Sequence, residues 1–152
     1  KLERQKLDIV QLVNQSIAEY DEKFGQKNLQ IVKTIQEEPL YVMADGRKTW
    51  RLFDNLYNNI FKYAMAGTRV YIDIRVENRK AVILLKNISE SPLNFSADEL
   101  MERFVRGDVA RTTEGSGLGL SIARSIVERQ DGEMNITLDG DLFKVEVMMN
   151  LI

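Results

Sequence analysis

Three asparagines, Asn55, Asn58 and Asn59, crowd into the stretch RLFDNLYNNIFKYA (residues 51–64), with Lys62 one turn beyond. An asparagine inside a helix costs several tenths of a kcal/mol relative to alanine, because its amide competes with the backbone for hydrogen bonds. Glu or Lys would serve a merely solvated face at lower cost. A carboxamide oxygen can ligate a hard cation, and an ammonium can neutralise phosphate oxygens. Asn55, Asn59 and Lys62 in line therefore suit a magnesium–phosphate platform. At about 100° per residue, Trp50, Phe53, Tyr57, Ile60, Phe61 and Ala64 gather on one side of this helix, and Arg51, Asn55, Asn59 and Lys62 line the other.

A second stretch, RTTEGSGLGLSIARSIVE (111–128), carries Gly115, Gly117 and Gly119 directly before an apolar helix start. The G-x-G-x-G spacing is not the dinucleotide fingerprint G-x-G-x-x-G, and the polar GDVARTTE before it is no first strand. No Gly-Lys-Ser/Thr follows, so it is no P-loop either. What remains is a helix N-terminus whose free N–H groups and positive dipole end can meet an anion closely, since glycine has no Cβ. A flexible lead into a helix is the plainer alternative.

Composition limits the chemistry available to these groups. The chain has 152 residues, 44% of them hydrophobic, enough for one domain with a full core. It has no cysteine, which excludes disulfides and thiolate metal sites, and no histidine, the commonest neutral-pH base and zinc ligand. A net charge of −2 with interspersed signs gives no general field for nucleic acid or acidic lipid. No apolar run approaches the roughly 20 residues that span a membrane. The chain is expected to be soluble as given, and the absence of an initiating Met suggests a piece of a longer protein.

The elements that must position these residues follow from periodicity. Leu2, Val10, Val13, Ile17, Tyr20 and Phe24 form a helical stripe, predicting a helix over 3–24 that Gly25 can stop. LQIVKTI (29–35) reads as a strand, and LYVMA (40–44) as a short apolar run before Asp45, an N-cap for a helix over 46–65. Val70, Ile72, Ile74 and Val76 alternate with polar residues, so one face of that strand should be buried. ENRK turns the chain into AVILLKN, a central strand. Ser96 and Glu99 form a capping box for a short helix over 97–104. A third main helix is predicted over 117–130, then a hairpin pivoting on Asp139 and Gly140, with Met134, Ile136 and Leu138 facing Phe143, Val145, Val147 and Met149. The sum is an α+β, two-layer sandwich: a mixed sheet of about five strands with three helices on one face.

At this point the motifs carry a resemblance. NLYNNIFKY resembles the N-box of sensor histidine kinases, ERFVRGD resembles their F-box, and GSGLGLSIARSIVE resembles their second glycine box with its helix. Order and spacing agree over essentially the whole chain. The resemblance implies the Bergerat ATP-binding fold, shared with gyrase-type ATPases, and one ATP-binding catalytic domain over 1–152 with a lid at about 89–114. Asn59, with Asn55, would hold Mg²⁺ against the triphosphate of ATP. Lys62 would touch phosphate, Tyr63 would pack along the nucleotide, and Arg106 would approach the terminal phosphate, with Arg111 a weaker candidate for that role. Gly115, Ser116, Gly117, Leu118 and Gly119 would form hinge and phosphate cradle.

One box departs from the family. Where Asp-x-Gly-x-Gly is usual after the central strand, this chain reads NISES, Asn87 to Ser91. The family's Asp accepts a hydrogen bond from the adenine amino group. Asn87 can still accept, but a neutral bond is worth roughly half a charge-assisted one, so adenine selectivity is expected to persist with affinity lowered by about 1 kcal/mol.

Gyrase-type relatives place a Glu at the position of Asn55 as general base, and an Asn cannot take that proton. The site is therefore expected to hold ATP without rapid hydrolysis and to wait for another nucleophile. In the family that nucleophile is a histidine on a separate dimerisation domain, through which a response regulator is served. The implied partners are that domain and the regulator, with no nucleic acid and no membrane contact by this domain. The implied location is the cytoplasm, with the parent anchored in the cell membrane. A degenerate ATP-binding fold acting as a regulatory module is the alternative; a serine kinase of the anti-sigma type fits the F-box less well.

Overall fold

The structure, a computed structural model, describes residues 1–93, 99 and 119–152. The first departure from expectation lies at the start. Residues predicted as the first turns of a long helix form strand β1 (Gln5–Asp8), which pairs antiparallel with β3 (Tyr41–Ala44), Leu7 opposite Val42. Helix α1 begins only at Ile9 and ends at Ala18. Asp8 decides this boundary. Its carboxylate accepts from the N–H groups of Val10 and Gln11 at 3.0 and 3.3 Å, which is the work of an N-cap and not of a helix interior.

The helix then breaks. Tyr20 leaves helical geometry, and its hydroxyl donates to the Asp54 carboxylate at 2.7 Å. Helix α2 (Asp21–Gln26) restarts the stripe and runs past Gly25. The left-handed residue that follows is Asn28, with φ 56°. The apolar stripe itself is real: Val10, Val13, Ile17, Tyr20 and Phe24 are all buried. The N-cap at Asp8 and the tertiary hydrogen bond from Tyr20 to Asp54 divide it into pieces.

Strand β2 (Gln30–Ile35) and the N-cap at Asp45 stand as expected, and α3 runs Gly46–Tyr63 with Lys48 N–H donating to the Asp45 carboxylate at 3.0 Å. The N–H of Glu3 donates to the same carboxylate at 2.8 Å, and these bonds hold its pKa below the usual carboxylate range. Strands β4 (Arg69–Glu77) and β5 (Lys80–Ile88) join through Asn78 and Arg79, both left-handed at φ 50° and 62°, as a two-residue primed turn requires. Helix α4 (Gly119–Glu128) leads to β6 (Glu133–Asp139) and β7 (Leu142–Asn150). Asp139 pairs with Leu142, so the hairpin turns on Gly140 and Asp141, one residue later than the sequence suggests.

Five strands form one sheet in the order β2-β4-β5-β7-β6, with β2 parallel to β4 and the other pairs antiparallel. β3 stays outside it in the small sheet with β1. Register puts one apolar face together: Ile72 opposite Leu85, Leu85 opposite Val145, Ile83 opposite Val147, Ile136 opposite Val145. These residues are buried with Ile17, Phe53, Tyr57, Ile60, Ala123 and Val127 from the helices, so the core lies between the sheet and its helical cover. Among the described residues the cover has four helices, because the first splits in two. Val76, expected in the core, is 47% exposed beside the turn at Asn78. The helix expected over 97–104 lies, apart from Glu99, outside the described residues.

Helices α3 and α4 run antiparallel, and a buried glutamine ties one pair of ends. Gln130, just past α4, accepts from the Asp45 N–H at 2.7 Å and donates to Thr49 Oγ1 at 3.3 Å. Nearby, a Cβ on Gly132 would lie 2.5 Å from the Met148 carbonyl oxygen, so only glycine allows the chain to pass β7 there. With the C-terminal end of α4 fixed at the start of α3, the start of α4 is delivered to the end of α3.

Candidate functional site

At that delivered end lies a cavity of about 240 Å³ lined by Arg51, Asn55, Asn58, Asn59, Lys62 and Tyr63 of α3 and by Gly119 and Ile122 of α4. The seat of α3 makes this geometry. Leu52, Phe53, Leu56, Tyr57 and Ile60 are buried against the sheet and α1, and Tyr57 adds a hydroxyl contact of 2.9 Å with Ser16 Oγ. Burial holds the Tyr57 phenol well above its ordinary pKa, so it stays neutral. With one side of α3 anchored so fully, the stripe Arg51–Asn55–Asn58/Asn59–Lys62 must face the cavity.

The lining is suited to a polyanion. Arg51 and Lys62 supply two cations, and no carboxylate lines the cavity among the described residues. Asn55 Nδ2 is buried and finds no partner among them. A buried orphan donor calls for an acceptor, which a phosphate oxygen would supply. The carbonyl oxygens of Asn55 and Asn59 fit Mg²⁺, a hard cation usually held by few protein oxygens together with substrate phosphates. Because both are neutral, the ion would be held only in company with a phosphate. Gly119 opens α4, whose positive dipole end points at the same space.

Asn55, Asn59, Lys62, Tyr63 and Gly119 are thus brought together. Arg106, Arg111, Gly115, Ser116, Gly117 and Leu118 lie outside the described residues, as does most of the lid over 89–114. Asn87 is placed differently. It points with Ala81, Ile83 and Leu85 to the covered face of β5, is only 2% exposed, and does not line the cavity. Its Oδ1 is buried without a partner among the described residues. The strand that carries it is nonetheless tied to the cavity end of α3: Met65 N–H donates to the Ile88 carbonyl and Glu90 N–H to that of Tyr63, both at 2.8 Å.

Arg51, Asn58 and Ile122 also line the cavity without having been assigned a role. Asn58 was legible, since it stands three residues after Asn55 and four before Lys62, neighbours on a helix surface. Ile122 was not, because an isoleucine one turn into an apolar helix reads as core.

Residues 44–149 match the family described as "Histidine kinase-, DNA gyrase B-, and HSP90-like ATPase". The probable sensor protein PcoS of Escherichia coli is 34% identical over 123 residues, covering 78% of this chain and 26% of PcoS. The sensor protein kinase WalK of Staphylococcus haemolyticus (strain JCSC1435) is 30% identical over 133 residues, 84% of this chain and 21% of WalK. The chain therefore spans about a quarter or less of the length of these relatives. Among solved structures, the catalytic domain of histidine kinase ThkA superposes with a TM-score of 0.82 at 21% identity, covering 97% of this chain and 95% of that one. Histidine kinase AdeS of Acinetobacter baumannii gives 0.78 at 18% identity over 99% of this chain and 68% of its own. At those identities the superpositions show a shared fold. The family match places this chain in the histidine kinase-, DNA gyrase B- and HSP90-like ATPase family, an ATP-binding family, and its fold is that of the histidine kinase catalytic domains.

Proposed function

We propose that the cavity between α3 and α4 binds Mg-ATP and that the domain donates the γ-phosphoryl group to a histidine on a separate dimerisation domain. The observation that supports this most is the meeting of Asn55, Asn59 and Lys62 with the start of α4 around one cationic cavity. Lys62 would neutralise phosphate oxygens, Tyr63 would lie along the nucleotide, and the N–H groups at the start of α4 would receive phosphate. Bound Mg²⁺ would offset the charge that develops on the β- and γ-oxygens during transfer. Outside the described residues, Arg106, assisted by Arg111, would meet the terminal phosphate, and Gly115, Ser116, Gly117, Leu118 and Gly119 would be the cradle. Residues 89–114 would act as the lid.

Among the described residues no carboxylate stands in the cavity to act as a base, which supports transfer over hydrolysis. The α3 position that would activate water is Asn55, and the chain has no histidine to accept the phosphoryl group itself. The phosphoacceptor domain, the response regulator it serves and a cytoplasmic placement under a membrane-anchored parent belong to this same reading. Among the described residues, no helix is long and apolar enough to cross a membrane.

Calorimetry with ATP should show binding that tightens with Mg²⁺, and labelled phosphate should pass to a supplied histidine-bearing helical domain. Fast turnover of ATP by this chain alone, or no nucleotide binding, would overturn the reading. Asn87 remains the proposed adenine acceptor, reached through the β5 end tied to α3. Asn87→Ala should weaken ATP by about five-fold, the worth of one neutral hydrogen bond; equal affinity would remove Asn87 from the site. Its burial away from the cavity wall is also what favours the second reading, a regulatory module that no longer transfers phosphate.

A further inference from the structure

The end of α3 is fastened in a way that helix chemistry alone does not require. The last carbonyls of a helix have no partner within it and usually turn to water or to a local cap. Here three consecutive ones are taken by distant groups. Lys27, just past α2, reaches across with Nζ 2.7 Å from the Phe61 carbonyl oxygen and 3.3 Å from that of Lys62. Glu90 N–H takes the Tyr63 carbonyl at 2.8 Å.

Lys27 is not a casual surface cation. Its ammonium lies 5.8 Å from the Phe61 ring centroid, and its own carbonyl accepts from Gly67 N–H at 3.1 Å. Burial lowers its pKa, partly countered by the nearby Glu90 carboxylate. A partly buried ammonium is held there against its hydration because two carbonyls at a helix C-terminus, the negative end of the dipole, receive it.

The residues whose backbone is held are the ones that line the cavity. Lys62 and Tyr63 project from this last turn, whereas Asn55 and Asn59 sit further back on a helix seated against the sheet. Fraying of the final turn would move Lys62 and Tyr63 and spare the asparagines. We infer that Lys27 is a positioning residue for the nucleotide: by capping the Phe61 and Lys62 carbonyls it holds Lys62 and Tyr63 at the cavity, an inference that rests on the proposed Mg-ATP site.

The test compares Lys27→Met and Lys27→Arg with the parent chain, by Mg-ATP titration and by amide hydrogen exchange without nucleotide. Lys27→Met keeps the stem but removes the donor. Its affinity for Mg-ATP should fall about five- to ten-fold, the worth of losing charge-assisted bonds to two half-buried carbonyls. Exchange should quicken at Ile60 to Ala64 and stay unchanged around Phe53. Lys27→Arg should restore both, since a guanidinium can reach the same oxygens. Loss of affinity that Lys27→Arg does not repair, or exchange that quickens throughout α3, would mean that Lys27 serves stability alone and would overturn the inference. So would Lys27→Met that binds like the parent. If the parent itself binds no nucleotide, the Mg-ATP reading fails together with the role assigned to Lys27, a result distinct from a parent that binds and a Lys27→Met that is unaffected.

Discussion

Asn59→Ala should lower phosphotransfer from Mg-ATP on the order of 100-fold or more, while leaving the fold as stable as before or slightly more so. The two halves have different physical origins. Perturbing even the partners of a metal ligand typically costs 10- to 100-fold, and removing an oxygen proposed to face the ion should cost at least the upper end of that range. Stability should move the other way, because a half-buried asparagine within α3 is replaced by the best helix former, worth several tenths of a kcal/mol. A site residue whose removal stabilises is the mark of a position chosen for function. The measurements are nucleotide titration with and without Mg²⁺, transfer to a supplied phosphoacceptor domain, and thermal melting. Binding should suffer chiefly in the presence of Mg²⁺. Equal loss with and without the ion would move Asn59 from metal contact to phosphate contact, and no loss in either would remove it from the site.

Phe53→Ala should cost about 3–5 kcal/mol, the range for truncating a buried aromatic ring. Phe53 is 0% exposed and stacks on Tyr57 with ring centroids 6.2 Å apart. The ring lies where α3 meets the rest of the core, so the cavity left behind is walled by elements that α1 and the sheet hold in place, and collapse is limited. Against a total stability of about 5–15 kcal/mol such a loss takes a large share. Urea denaturation reads it directly, with Arg51→Ala, on the exposed side of the same helix, as a control expected within about 0.5 kcal/mol. A loss below about 1 kcal/mol at Phe53 would mean that α3 is not seated on its apolar face, and the orientation of the asparagine stripe would lose its basis.

That seating connects what the sequence made readable to what it did not. The two faces of α3 were legible because a helix sorts its side chains by angle, and the order of residues within 51–64 contains that angle completely. Strand β4 and the β6–β7 hairpin were legible for the same reason at period two, and β5 as a continuous apolar run, with Asn78 and Gly140 marking places where the chain must turn. The first helix misread because a stripe at spacings of three and four persists even where the backbone is interrupted. Nothing within residues 3–8 announces that β3 offers them a ladder.

The site divides along the same line. Asparagine placed against propensity, a lysine one turn on, and glycines before a helix are local signals, and they sufficed to nominate both walls of the cavity. Asn87 shows where such signals fail. A motif position names a residue, whereas its depth depends on Phe143 opposite it in the sheet and on the helices above, so its burial could not be read from NISES.

From sequence alone came the α+β class, the helix and hairpin periods, the Asp45 cap, the stripe from Arg51 to Lys62 and the lack of a histidine to receive phosphate. These depend on residues within a few positions of one another, or on composition, and need no partner in space. The tertiary structure alone decided that residues 5–8 are a strand, that Lys27 caps α3, and that Gln130 locks the far ends of α3 and α4 so that Gly119 arrives beside Lys62. Each of these is settled by hydrogen bonds between groups tens of residues apart, whose partners exist only once the chain has closed on itself.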